Sequence, residues 1–170
     1  KEYKRFIPHI NNNHDFSEML SELLGELNAS HTGCRYSPQT VNTDATASLG
    51  IFPDHSHKGN GVKIAEIIAR SPLDNAQSKV KAGMIIEKID GQTVTPEQDF
   101  NTLLNRKANH LILLSVFDPK SNNRFEESMK PISRGEESEL LYKRWVARQA
   151  KEVEKISGGK IGYVHVRGMN

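Results

Sequence analysis

The sequence predicts an α+β protein in which a small β-rich unit is flanked by helical segments, and three observations predict it. Apolar residues recur at helical spacing within the first 36 residues. From about Ser37 to Pro131 the texture changes to short alternating runs broken by Gly, Pro and Asp. Beyond Arg134 the helical spacing returns. Domain bounds follow at 1–44, 45–133 and 134–170.

The first segment begins with Tyr3, Phe6, Ile7 and Ile10, a short amphipathic piece interrupted by Pro8. Asn11-Asn12-Asn13 reads as a turn. Phe16, Met19, Leu20, Leu23, Leu24 and Leu27 then fall on one helical stripe, with Asp15 and Glu18 spaced as a capping box. The helix is expected to be buried and rigid, and to run out at Asn28-Ala29-Ser30. A Ser30-His31 pair held at such a point suits a general base, which must lie within hydrogen-bond reach of its nucleophile. The same Asn-Ala-Ser-His-Thr-Gly run is also an ordinary helix exit, rich in turn-tolerant residues.

In the middle segment Ser48–Phe52 is a brief strand and Val62–Ile67 an alternating, half-buried one. Gly59-Asn60-Gly61 separates them as a turn. Ser71-Pro72-Leu73-Asp74 opens a short helical turn, and Lys81-Ala82-Gly83 leads into the strand Met84–Ile89. Asp90-Gly91 has the composition of a tight hairpin turn. Thr95-Pro96-Glu97 starts a helix with Thr as cap and Phe100, Leu103 and Leu104 on its buried face. Strands at Leu111–Phe117 and Phe125–Ile132 complete the segment.

The last segment carries Leu141, Tyr142, Trp145, Val146, Gln149, Val153 and Ile156 at helical spacing, preceded by the acidic run Glu136-Glu137-Ser138-Glu139. Gly158-Gly159 stops that helix. Lys160–Val166 reads as a buried strand, with His165 and Tyr163 on one face.

Composition removes several function classes. The net charge of +2 arises from 23 basic and 21 acidic side chains, and no basic stripe stands out, so nucleic acid is not indicated. No apolar run approaches a membrane span. The single cysteine, Cys34, rules out an internal disulfide framework and a cysteine-rich zinc site, and reads as a small half-buried thiol. His55-Ser56-His57 lacks the Cys or carboxylate partners of a metal site and reads as an exposed hairpin tip. His9, His14 and His110 have no partner that sequence identifies. No phosphate loop or dinucleotide fingerprint is present, and neither metal nor cofactor is expected.

Three blocks, in order, resemble tricorn-type serine peptidases. Glu22-Leu23-Leu24-Gly25-Glu26-Leu27-Asn28-Ala29-Ser30-His31 resembles the stretch that bears their catalytic histidine. Lys81 to Val94, with Gly83-Met84-Ile85-Ile86-Glu87-Lys88-Ile89-Asp90-Gly91 as its distinctive part, resembles the PDZ domain of bacterial processing proteases. It departs from the usual Gly-Asp at Gly83-Met84. Trp145-Val146 followed by Ser157–Val166 resembles the start of the nucleophile-bearing core domain.

The resemblance implies His31 as base and Ser30 as the group orienting its imidazole. It also implies a catalytic serine, an oxyanion-hole glycine and an acidic residue beyond the last strand, so that these 170 residues alone would be inactive. The middle segment would be a PDZ-like small β-barrel or sandwich with two helices. Leu49-Gly50-Ile51-Phe52 resembles its carboxylate-binding loop, with Phe100 and Leu104 lining the peptide groove. Each of those apolar residues reads equally well as core. Peptide substrates are the implied partners. The resemblance implies a cytoplasmic location, with a periplasmic or secreted one as the alternative, and allows a homo-oligomer of the full-length protein. The alternative function is a non-catalytic PDZ module that binds peptides.

Overall fold

The computed structural model describes residues 2–38 and 40–168, and the chain resolves into two compact units, 1–43 and 44–170.

The first unit is helical and shallow. A 3-10 helix spans Glu2–His9, and α1 spans Asn13–Gly25. The cap of α1 is Asn12, not Asp15: its side chain accepts from the N–H groups of His14 and Asp15 at 2.8 and 3.0 Å. Asp15 instead reaches back to accept from the Asn11 N–H at 2.9 Å, which holds its carboxyl below the usual range. Asn12 wins because a cap must sit in extended backbone just ahead of the first turn, and its φ and ψ are −156° and 175°. The expected buried stripe is not buried here. Phe16, Leu23 and Leu27 are exposed, and Ser17 is the only buried residue among those described in this unit. A unit of this size has no second layer against which α1 can cover its apolar face.

The second unit contains β1 (Ala47–Ser48), β2 (Ile51–Pro53), β3 (Val62–Ile67), β4 (Ile85–Ile89), β5 (Gln92–Thr93), β6 (Ile112–Asp118), β7 (Asn123–Met129) and β8 (Ile132–Ser133), followed by α2 (Arg134–Ser157). Six strands form one antiparallel sheet in the order β2-β3-β4-β6-β7, with β5 folded onto β4; β1 and β8 pair separately. This is an open α+β arrangement rather than a closed barrel.

The β4–β5 hairpin turns at Asp90 and Gly91, whose φ values of 48° and 77° fit a two-residue I′ turn. The helix expected from Thr95 is a 3-10 turn at Phe100–Leu104, capped by the Asp99 carboxylate on the Asn101 N–H. Leu49, Ile64, Leu73, Val80, Ile86, Ile89, Leu104, Leu114 and Val116 make up the centre of the core. Each such side chain contributes about 1.5–3 kcal/mol by leaving water.

Helix α2 starts with a full capping box. Ser133 Oγ accepts from the Glu136 N–H, and the Glu136 carboxylate accepts from the Ser133 N–H at 2.7 Å. The acidic run therefore forms the helix's first turn instead of preceding it. Gly158, at φ 59°, ends α2. Beyond it, residues 161–168 form no strand, and Ile161, Val164 and Val166 are 64%, 86% and 67% exposed. This corrects the expected buried strand. A strand needs a neighbour for its backbone groups, and residues 161–168 pair with none of the described strands.

Candidate functional site

Two places hold the residues singled out from the sequence, one in each unit. In the first, α1 ends at Gly25 and the backbone descends through turns closed by Leu27 N–H to Leu24 O and Asn28 N–H to Gly25 O. Ser30 and His31 follow in an exposed turn. His31 has φ 63°, in the left-handed region where non-glycine residues are uncommon, and Thr32 braces the turn by donating to Ala29 O at 3.0 Å. Among the described residues no hydrogen bond joins the Ser30 and His31 side chains. Cys34 is half-buried, as expected for a packed thiol.

The second place is the free side of β2. Leu49 is 2% exposed and Leu104 1%, so both belong to the core; Phe52, at 37%, and half-buried Phe100 offer side-chain surface. Gly50 has φ 71°, and a Cβ there would lie 2.4 Å from Ser71 Cβ. Only glycine satisfies both the backbone and that approach. β2 is the last strand of its sheet on this side. The Ile68 N–H donates to Gly50 O at 2.8 Å, which makes Ile51 and Ile67 a non-hydrogen-bonded pair. The N–H and C=O of Ile51 therefore point away from β3 toward the open edge. A cleft of about 290 Å³ continues from the end of β2, lined by Pro53, His57, Val62, Val94, Pro96 and Phe100.

The loop at this cleft is rigidly tied. Asp54 accepts from both the hydroxyl and the N–H of Ser56 and pairs with Lys63 Nζ at 3.0 Å. The Ser56 hydroxyl, foremost, and Lys63 hold its carboxyl well below the usual range. His57 Nε2 lies 3.1 Å from Asn60 O, and no metal-ligand cluster exists among the described residues.

Sequence reasoning missed three features, each built from residues far apart in the chain. Ser48 Oγ accepts from the Gly50 N–H at 3.0 Å and itself donates to the Glu137 carboxylate on α2. Arg144, also on α2, pairs with Glu66 at 2.8 Å and lies over the Phe52 ring at 5.2 Å. With Arg70, Lys143, Arg148 and Lys151 it forms a basic cluster beside Ala69 that no linear stripe announces. His165 sits between the Tyr142 hydroxyl and Tyr163, with Trp145 edge-on at 5.1 Å. The Ser-x-x-Glu spacing at Ser133 and Glu136 fixes where α2 begins, but nothing in it points to Ser48.

Residues 60–133 match the family described as the tricorn protease PDZ domain. The whole chain is similar to longer proteins of that kind. It is 26% identical over 176 residues to a putative tricorn-like protease C-terminal subunit of Sulfurisphaera tokodaii, covering 98% of this chain and 20% of that protein. It is 28% identical over 177 residues to tricorn protease homolog 1 of Streptomyces coelicolor, covering 98% of this chain and 16% of that protein. The chain thus spans a fifth or less of the length of these relatives. A crystal structure of the tricorn protease superposes with a TM-score of 0.78 at 21% identity, over 96% of this chain and 16% of that one, which establishes the shared fold.

Proposed function

We propose, from a chain related along its length to the tricorn-type proteases and carrying their PDZ domain, that these residues are the histidine-bearing and peptide-guiding part of a serine peptidase. His31 takes the proton of a serine supplied elsewhere in the full-length protein, and Ser30 orients its imidazole. The PDZ-like unit receives extended polypeptide at the free edge of β2, with Phe52 and Phe100 as contact surface over a floor of Leu49 and Leu104.

The observation that carries this reading is the reach of the similarity. It extends over 98% of the chain and so includes the Ser30-His31 turn and α2, which lie outside the matched PDZ residues. The left-handed backbone at His31 adds support, because such conformations concentrate at functional positions. The test is hydrolysis of fluorogenic peptides by the full-length protein and by these 170 residues alone. The full-length protein should hydrolyse them and lose that activity to a serine-directed phosphonate, while the 170-residue chain should show none. Phosphonate-sensitive turnover by the short chain, or none by the long one, overturns the reading.

A further inference from the structure

The loop expected to bind a peptide's terminal carboxylate already has a carboxylate beside it, and that group comes from the chain itself. Gly50 donates its N–H to Ser48 Oγ, and Ser48 donates to Glu137 in the first turn of α2. Arg134 holds the other side of that carboxylate at 2.9 Å while donating to Asn101 at 2.8 Å. Ser48 is buried, and Glu137 keeps only 13% of its side chain exposed. The arrangement follows from the β1–β8 pairing, which sets Ser48 opposite Ile132, one residue ahead of the α2 cap.

A terminal carboxylate arriving at Gly50 would find that N–H satisfied and a second negative charge one hydroxyl away. Like charges at such separations near a protein surface weaken binding roughly tenfold to a hundredfold. Ile51 is different. Its N–H and C=O face the open edge and ask only for main-chain partners.

We infer that the β2 groove takes an internal, extended stretch of polypeptide and not a C-terminus, with Ser48 filling the Gly50 N–H and Glu137 setting a negative charge behind it. This rests on the groove reading above and specifies its ligand. The main chain of the guest is recognised, so the substrates are unfolded or extended segments that the groove can hold at any point along their length.

The experiment titrates the 170-residue chain with one peptide in three forms, ending in a free carboxylate, ending in a carboxamide, or extended by further residues beyond the same point. The Ile51 and Gly50 amide resonances report binding at the groove. The carboxamide and extended forms should bind within about threefold of each other, and the free carboxylate roughly tenfold or more weaker than both. Glu137→Gln keeps the hydrogen bond to Ser48 but removes the charge, and should tighten the free-carboxylate form by roughly tenfold, toward the other two forms. Free-carboxylate binding as tight as, or tighter than, that of the other two forms would overturn the inference while leaving the groove intact. An unchanged preference in a folded Glu137→Gln variant would remove Glu137 from the explanation. Binding of none of the three at millimolar peptide would instead sink the groove itself. If the variant does not fold, the wild-type comparison alone decides.

Discussion

Replacing Gly50 by alanine places a methyl group 2.4 Å from Ser71 Cβ and 2.9 Å from Ser71 Oγ, on a backbone held at φ 71°. Two effects add. A side chain in the left-handed region costs about 1–2 kcal/mol. Forcing an extra methyl into a packed site costs about 1–3 kcal/mol more, since the neighbour is the stem of Ser71 rather than the end of a flexible chain. Destabilisation of about 2–5 kcal/mol is therefore expected, against a usual domain stability of 5–15 kcal/mol. Urea unfolding followed by Trp145 fluorescence reads it as a lower midpoint at unchanged slope. Combining Gly50→Ala with Ser71→Gly removes the steric part but not the backbone part, so the second substitution should cost less in the alanine background than alone. A Gly50→Ala chain within about 0.5 kcal/mol of wild type would refute the reasoning, and with it the tight loop beside β2.

Other outcomes follow from the same contacts. The carboxyls of Asp54, Asp99, Asp118 and Glu136 are all lowered, chiefly by the Ser56 hydroxyl, the Asn101 N–H, the Ser121 hydroxyl and the Ser133 N–H respectively. At Asp90 burial works the other way, but the Lys107 ammonium and the Leu113 N–H outweigh it. A carboxyl lowered in the folded state contributes stability above its unfolded pKa, near 4, and loses it as pH falls through the folded value. Urea midpoints should therefore drop steadily below about pH 4, and Asp99→Asn should flatten the drop; midpoints level down to pH 2 would contradict this. Ser30→Ala in the full-length protein should reduce turnover less than loss of His31, because water partly replaces an orienting hydroxyl; equal losses would assign Ser30 a direct role.

Much of the second unit was legible because its signals are local. Val62–Ile67 alternates as a half-buried strand does, and Asp90-Gly91 has one of the few compositions that take two left-handed residues easily. Gly158-Gly159 ended α2 where the apolar spacing failed. The cap of α1 was misread because Asn12 and Asp15 are both good caps, and which one holds extended backbone is not written in residue type. Lys160–Val166 shows strand composition without a strand, since pairing is a property of neighbours and not of the run itself. The Ser48–Glu137 contact bridges 89 positions and depends on β1 meeting β8, so no reading of spacing would find it. The basic cluster at α2 was hidden for the same reason: Arg70 joins it only through folding.

His31 as the catalytic base is the central claim, and the turnover of the full-length protein carrying His31→Ala tests it most directly. His31 is exposed in a turn and packs into no core, so the substitution should leave thermal unfolding unchanged. Loss of one member of a catalytic triad lowers kcat by roughly 10⁴–10⁶, and a loss of that order on fluorogenic peptides is the predicted result. A folded variant that keeps turnover within about tenfold of wild type would contradict the assignment.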